Sequence, residues 1–181
     1  MAYQVGTATG ANDLLDKFRL FAIAEGWSQN RWTAVGYGYE LCIQKGSAYF
    51  NFRAYQNESV NINASSQSNK YGILLNGSDG YSAGHDWDRQ PGYPKRQSGD
   101  ALDQAVSWLP MEVNQGPFPS YHFFSSANSI SVELEITTGT FLRFGCGSLN
   151  LFNPSAPGGG RYFYATGSKH VTAGTNWYEW L

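Results

Sequence analysis

The chain has 181 residues, the length of a single domain that buries a core without help from metals or disulfides. Only 14% of its residues are charged and its formal net charge is −2, so the composition offers no basic surface for nucleic acid. Aromatic residues make up 16%, which excludes a disordered chain and is typical of surfaces that meet proteins or ligands. We expect no signal peptide and no membrane contact, because no basic stretch precedes an apolar run and no apolar run could span a bilayer.

Residues 1–26 predict an arm followed by a helix. Residues 1–11 are small and polar without periodicity, which predicts an extended arm. Residues 12–26 predict an amphipathic helix that Asn12 is placed to cap and Gly26 is placed to end. A sheet is the only large partner that the sequence offers for the apolar stripe of this helix. The stripe consists of Leu14, Leu15, Phe18, Phe21 and Ala22.

Residues 27–75 predict a first antiparallel meander of β-strands. Alternation in the third strand places Phe50, Phe52 and Ala54 on one face. Strands are expected within 27–38, 39–45, 48–56, 60–64 and 71–75, with a polar loop at 65–70.

Residues 76–119 predict a long irregular excursion that acts as an interface loop. The segment holds five of the seven prolines and no sustained strand pattern, and such loops are usually functional. Its aromatic residues Tyr81, Trp87, Tyr93 and Trp108 suit either a protein interface or stacking against sugar rings. Polar partners for a sugar are Asn76, Asp79 and Asp86. The enrichment of such aromatic residues in protein interfaces favours the first alternative.

Residues 120–165 predict a second antiparallel meander, and residues 166–181 form a C-terminal tail. Gly145 and Gly147 interrupt the return strand, which indicates a bulge or the close approach of another backbone. Turns are expected at 125–128 and 137–139, and strands at 130–136, 141–149 and 161–165. The tail carries Trp177, Tyr178 and Trp180, which either dock into the core or meet a partner.

No residues predict an enzyme, a cofactor site or a metal site. Asp86 and Asp88 could face one calcium ion, but the calcium-loop pattern around them is incomplete, which favours a solvated loop. Glu133 and Glu135 lie on one face of a strand, roughly 7 Å apart, as in an inverting glycosidase. Both carboxylates are explained more simply as the solvent-exposed face of an amphipathic strand than as a catalytic pair.

Cys42 and Cys146 lie in apolar, strand-like contexts and are expected to be buried free thiols, with a disulfide between neighbouring strands as the alternative. The predicted fold class is therefore α+β and mostly β. A single domain over 1–181 should contain an antiparallel sheet or sandwich, one N-terminal amphipathic helix packed on it, and a long irregular excursion.

Several motifs resemble one family of proteins. The opening GTATGANDLLDKFRLFAIAEGW is similar to the start of small virion proteins of tailed bacteriophages, where a short arm precedes a helix written DLLxKxRxF and closed by Gly-Trp. The segments at 121–124 (YHFF), 130–135 and 141–147 (FLRFGCG) resemble a phage segment that reads YHFF, an alternating strand and FRHFGFG. Residues 159–164 (GGRYFY) are similar to its continuation. The resemblance does not extend to 76–119.

The resemblance implies a non-enzymatic virion structural protein in the tail, tail tip or baseplate. Such a protein would be an assembly building block whose partners are copies of itself and other virion proteins. The alternatives are a head or neck decoration protein, or a receptor-binding module for host glycan that uses Tyr81, Trp87 and Tyr93. The interface candidates are Tyr81, Trp87, Tyr93, Trp108, Trp177, Tyr178 and Trp180.

Overall fold

The computed structural model describes residues 1–62, 65–93, 109–149 and 160–165. Within them lie β1 (Ala2–Ala8), α1 (Ala11–Ala24), β2 (Ser28–Val35), β3 (Gly38–Lys45), β4 (Ala48–Ile62), β5 (Ser65–Ser78), β6 (Leu109–Glu112), β7 (Phe118–Ser125), β8 (Ser129–Thr137), β9 (Thr140–Ser148) and β10 (Arg161–Ala165). Two antiparallel sheets result: sheet A with the order β1-β7-β8-β9-β10, and sheet B with the order β2-β3-β4-β5-β6. The predicted fold class is confirmed.

Helix α1 packs on both sheets and supplies the centre of the core. The predicted apolar stripe is buried along its whole length. The ring centroid of Phe18 lies 5.1 Å from that of Phe52 on β4, 5.9 Å from that of Phe123 on β7 and 5.4 Å from that of Phe144 on β9. These edge-on contacts join the two sheets through one helical residue.

The helix begins differently from the prediction. Gly10 occupies the N-cap position and Asn12 lies inside the first turn, where its Nδ2 donates to the carbonyl of Tyr37 at 2.8 Å. Asn12 is therefore not the cap. Asp13 does the work of a capping acid, because its Oδ2 accepts a hydrogen bond from the N–H of Thr9 at 2.7 Å.

Helix α1 ends at Ala24 with Glu25 as its C-cap, and Gly26 follows as the predicted terminating glycine. The φ of Gly26, +80°, is a left-handed value that favours glycine. The N–H of Gly26 donates to Ile23 and the N–H of Trp27 donates to Ala22, both at 3.0 Å. This pair of bonds is a Schellman motif, which satisfies the last carbonyls of α1.

The predicted N-terminal arm is a strand of the protein's own sheet. β1 pairs with β7 from Ala2 opposite Ser125 to Gly6 opposite Tyr121. A β-carbon on Gly6 would stand 2.5 Å from the hydroxyl of Tyr121. No side chain larger than hydrogen therefore fits at position 6. The side of β1 that carries Ala2, Gln4 and Gly6 has no large apolar residue, so the sequence shows no alternation there.

The strands predicted at 60–64 and 71–75 are not separate short strands but parts of one long hairpin, β4–β5. β4 absorbs the predicted third and fourth strands, and β5 absorbs the predicted loop at 65–70. The pairing shifts register beside Asn57 and Asn69, which have φ of 54° and 56°. Such bulges break the period-2 pattern without ending a strand.

The predicted irregular excursion is shorter than 76–119. β5 continues to Ser78, β6 begins at Leu109 and β7 begins at Phe118. Residues 79–93, here called the covering loop, are the first irregular part of the excursion. Residues 94–108 lie outside the described residues. Among the described helices, none has the length and apolar character needed to cross a membrane.

Candidate functional site

The covering loop lies against the outer face of sheet B, and Trp87 anchors it there. Trp87 is only 7% exposed and belongs to an apolar cluster with Cys42, Tyr55 and Leu74. Tyr81 packs against the same cluster. Trp87, a predicted interface residue, is therefore covered by the chain itself, and its role as a contact residue stays a prediction.

Gln90 holds the covering loop in shape from inside. It is fully buried, and its Nε2 donates to the carbonyls of His85 at 3.1 Å and Asp86 at 2.9 Å. Its Oε1 accepts from the N–H of Ser82 at 2.7 Å. Gln90 could not be predicted as buried, because a glutamine in a polar loop shows no sequence pattern that indicates burial.

An open groove of about 640 Å³ lies between β2 and the covering loop. Arg31 holds its two walls together, because the guanidinium pairs with Glu40 at 3.2 Å and donates to the carbonyl of His85 at 2.7 Å. It also lies 5.8 Å from the ring centroid of Tyr81. Burial raises the pKa of Glu40 above its ordinary value even though Arg31 stands beside it. The other lining residues include Asn30, Trp32, Thr33, Val35 and Asp86.

The three predicted interface residues that the structure describes do not form one exposed surface. Tyr81 lines the groove, Trp87 lies beneath the loop, and Tyr93 is half-buried at the end of the described loop. Trp108, Trp177, Tyr178 and Trp180 lie outside the described residues. Within the part of the chain that the structure describes, no three His, Cys, Asp or Glu side chains are grouped as metal ligands, and this includes the surroundings of Asp86 and Asp88.

The outer face of sheet A presents an aromatic surface that sequence analysis missed. Tyr3 is 55% exposed and its ring lies 5.1 Å from that of Phe124, which is 38% exposed. The Tyr3 hydroxyl and His122 Nδ1 are 2.8 Å apart. We call this surface the outer aromatic face; its exposed apolar residues are Tyr3, Val5, Phe124, Phe141 and Tyr164.

Gly145 in β9 leaves room for the ring of Tyr164 from β10 on the outer aromatic face. A β-carbon on Gly145 would stand 2.7 Å from the Tyr164 ring and 2.8 Å from the carbonyl of Ile130. Of the two predicted explanations for this glycine, the structure supports close approach. The rings of Tyr162 and Tyr164 are nearly parallel, at 11°, with centroids 6.5 Å apart.

The two carboxylates on β8 have structural partners. Glu133 accepts from Arg143 at 2.8 Å, and this bond lowers the pKa of Glu133. Glu135 accepts from the N–H of Gly139 and from the hydroxyl of Ser120, both at 2.9 Å, and these bonds lower its pKa as well. A general acid needs a raised pKa, so the pair has the wrong electrostatics for glycoside hydrolysis.

Both cysteines are buried free thiols, as predicted. Burial raises the pKa of Cys42 to about 12, and it raises the pKa of Cys146 above its ordinary range. The thiolate is the reactive form of cysteine, so neither side chain is a nucleophile at neutral pH.

Comparison of the chain with protein-family models gives no match, and comparison with curated proteins gives none. The candidate sites are therefore defined by their geometry: the groove beside Tyr81, and the outer aromatic face of sheet A.

Proposed function

We propose that this protein is a non-enzymatic structural subunit of a tailed-phage particle, most simply of its tail, tail tip or baseplate. The outer aromatic face carries the proposal. Five large apolar side chains stand on one side of one sheet with exposed fractions from 36% to 55%. Apolar surface of this kind usually marks a protein interface.

The chemistry of the face fits protein contact. Tyrosine and phenylalanine are enriched at interfaces, where their rigid rings bury large areas at a low entropic cost. On this face Glu133 is paired with Arg143, and Glu135 accepts from the N–H of Gly139 and the hydroxyl of Ser120. A partner can therefore cover the Glu133–Arg143 pair without leaving either charge alone.

The sequence motifs supply the phage part of the proposal. The YHFF segment forms β7, the FLRFGCG segment forms β9, and the GGRYFY segment contributes β10. All three belong to sheet A, the sheet that carries the outer aromatic face. Depressed carboxylate pKa values and protonated thiols are consistent with a role that involves no catalysis.

The test is incorporation into particles. Mass spectrometry of purified virions from a phage that carries this gene should detect the chain. Phe124→Ser and Phe141→Ser should lower its incorporation by tenfold or more, since loss of a central aromatic contact costs roughly 2 kcal/mol. Tyr37→Ser is the control, because Tyr37 is 75% exposed on the β2–β3 turn, away from this face. Absence of the wild-type chain from purified particles would refute the proposal.

A second candidate function is recognition of a host glycan in the groove beside Tyr81. The volume of about 640 Å³ is within the range of small-molecule sites, and Tyr81 offers a ring at the wall. Binding on a glycan array should vanish in Tyr81→Ala and persist in Tyr37→Ala. Binding that persists in Tyr81→Ala, or no binding by the wild-type chain, counts against this function.

A further inference from the structure

We propose that the edge of β1, which no other described strand covers, binds the same edge of a second copy, so that two five-stranded copies of sheet A join across a two-fold axis. The inference rests on the proposed role as an assembly subunit and names a surface and a partner for it. It concerns the edge of sheet A, where Tyr3 and Val5 also belong to the outer aromatic face; Gln4 does not, so its cross-linking tests the edge alone.

β1 is less protected against pairing with another chain than the other three edge strands that the structure describes. Exposed edges normally carry charge, proline, a bulge or a short strand, which prevent pairing with another chain. β2 has an irregularity between Gln29 and Arg31, and it carries that arginine. β6 has only four residues and includes Pro110. β10 has five residues and begins at Arg161, whose guanidinium pairs with Asp79.

β1 has almost none of these protections. It has seven residues, AYQVGTA, without charge or proline. Tyr3 and Val5 are 55% and 54% exposed, and among the described residues β7 is the only strand that pairs with it. Its one irregularity is at Thr7, whose carbonyl accepts from Lys17 Nζ at 2.8 Å. Residues 2–6 therefore remain a regular, neutral template for another strand.

Side-chain direction limits the register of this pairing. A two-fold axis perpendicular to the sheet keeps both outer faces on one side, so opposite residues must point the same way. Centring the regular stretch 2–6 on the axis places Gln4 opposite Gln4 of the second copy. Tyr3 then lies opposite Val5 of the second copy, which is an aromatic and β-branched pair of the kind that stabilises sheets.

The charged groups beside the edge favour the antiparallel arrangement. Glu25 lies at the start of β1, because its carboxylate accepts from the hydroxyl of Ser125, the residue opposite Ala2. At the other end of β1, Lys17 Nζ donates to the carbonyl of Thr7 and forms an ion pair with Asp13 at 2.7 Å. Antiparallel pairing places Glu25 of one copy beside this neutral ion pair of the other, whereas a parallel arrangement would place Glu25 against Glu25.

Helix α1 adds apolar surface next to the same edge. Leu20 lies one turn beyond Lys17 on the same side of α1 and is 53% exposed. A second copy seated on β1 would cover Leu20 with its own helix. This identifies the occupant as another copy more readily than an isolated strand, which would leave the leucine exposed.

Analytical ultracentrifugation of the full-length chain tests the pairing. The wild-type chain should be a dimer, and Val5→Lys should weaken the dimer at least tenfold by placing a charge in the new ladder. Val5→Thr is the matched control, because threonine keeps the branched, uncharged shape and should retain the dimer. Circular dichroism of each variant reports whether the fold is intact.

Two further experiments test the register and guard against a misfolded variant. A mixture of Tyr3→Lys and Val5→Glu chains should form a heterodimer, because the introduced ammonium and carboxylate face each other, whereas each variant alone should be weakened. Gln4→Cys should form an intermolecular disulfide across the axis under mild oxidation, and Tyr37→Cys should not. The native thiols do not interfere, since both are buried.

The outcomes separate this inference from the proposed function. A wild-type chain that stays monomeric at about 100 µM, or a dimer indifferent to Val5→Lys with no Gln4→Cys cross-link, overturns the edge pairing. Neither result bears on incorporation into particles. Conversely, an edge-paired dimer that is absent from purified virions removes the proposed function and leaves the pairing in place.

Discussion

Replacing Trp87 by alanine should detach the covering loop from sheet B. The indole is 7% exposed and lies over Cys42, Tyr55 and Leu74, so its loss opens a cavity in the smaller apolar cluster. Gln90 and its bonds within the loop stay in place, because none of them reaches Trp87. The loop should therefore keep its internal turns but no longer pack on sheet B.

The expected cost follows from the buried area. A tryptophan buries roughly 150–250 Å², which at about 25 cal/mol per Å² corresponds to roughly 4–6 kcal/mol. Alanine retains part of that area, and the neighbouring Tyr81 can move toward the cavity. We expect the free energy of unfolding to fall by about 3 kcal/mol, at the lower end of the range for large-to-small core substitutions.

Thiol labelling gives the sharpest assay, since Cys42 lies beneath the indole and Cys146 lies in the other sheet. Alkylation at pH 8 followed by peptide mass spectrometry should show faster labelling of Cys42 in Trp87→Ala. Cys146 should remain as slow as in the wild-type chain and serves as the internal control. Guanidinium denaturation measures the change in stability, with Tyr37→Ala as the exposed control.

Two results would refute this reasoning. If Cys42 labelling is unchanged and stability falls by less than about 0.5 kcal/mol, Trp87 is not the anchor of the covering loop. The indole would then be available to a ligand. If both cysteines label faster together, the substitution loosens the whole fold, and the loop is not an independent unit.

Three further predictions concern single buried groups. Tyr55→Phe should leave the free energy of unfolding unchanged or raise it by up to about 1 kcal/mol in guanidinium denaturation, because the buried hydroxyl has no hydrogen-bond partner among the described residues. Gly145→Ala should lower the melting temperature measured by calorimetry, since the new methyl would meet the Tyr164 ring at 2.7 Å and a backbone carbonyl. The free energy of unfolding, measured by denaturation at each pH, should fall as pH rises from 9 toward 12. Burial raises the pKa of Cys42 from 9.0 to about 12, so the thiol ionises at lower pH in the unfolded chain than in the folded one. Cys42→Ala should make this fall less steep.

Sheet A could be predicted from sequence because its strands are amphipathic and its turns are short. Ile130, Val132 and Leu134 alternate with polar residues, and all three are buried. The turn at 137–139 ends in Gly139 with φ of +77°, as its sequence indicates. Local pattern and tertiary burial agree in this region, so period-2 reasoning succeeds.

β1 and Trp87 could not be predicted because their burial depends on distant partners. Gly6 is small to accommodate Tyr121, which is 115 positions away along the chain. The burial of Trp87 depends on a loop folding back onto β3, β4 and β5. Neither relation leaves a periodic trace in the sequence, so small polar residues predicted an arm and a loop aromatic predicted an exposed contact.

Two sequence motifs of sheet A share one packing arrangement. A β-carbon on Gly145 would meet the Tyr164 ring, so the FGCG and RYFY motifs describe one contact across β9 and β10. This contact serves the packing of the sheet and does not depend on what the sheet binds. Pairing through β1 depends instead on a neutral edge, which the motifs do not encode. A relative that keeps Gly145 and Tyr164 but carries lysine in the β1 segment should therefore fold alike and sediment as a monomer. A dimer of such a relative, cross-linked through the position equivalent to Gln4, would contradict the link between neutrality and pairing.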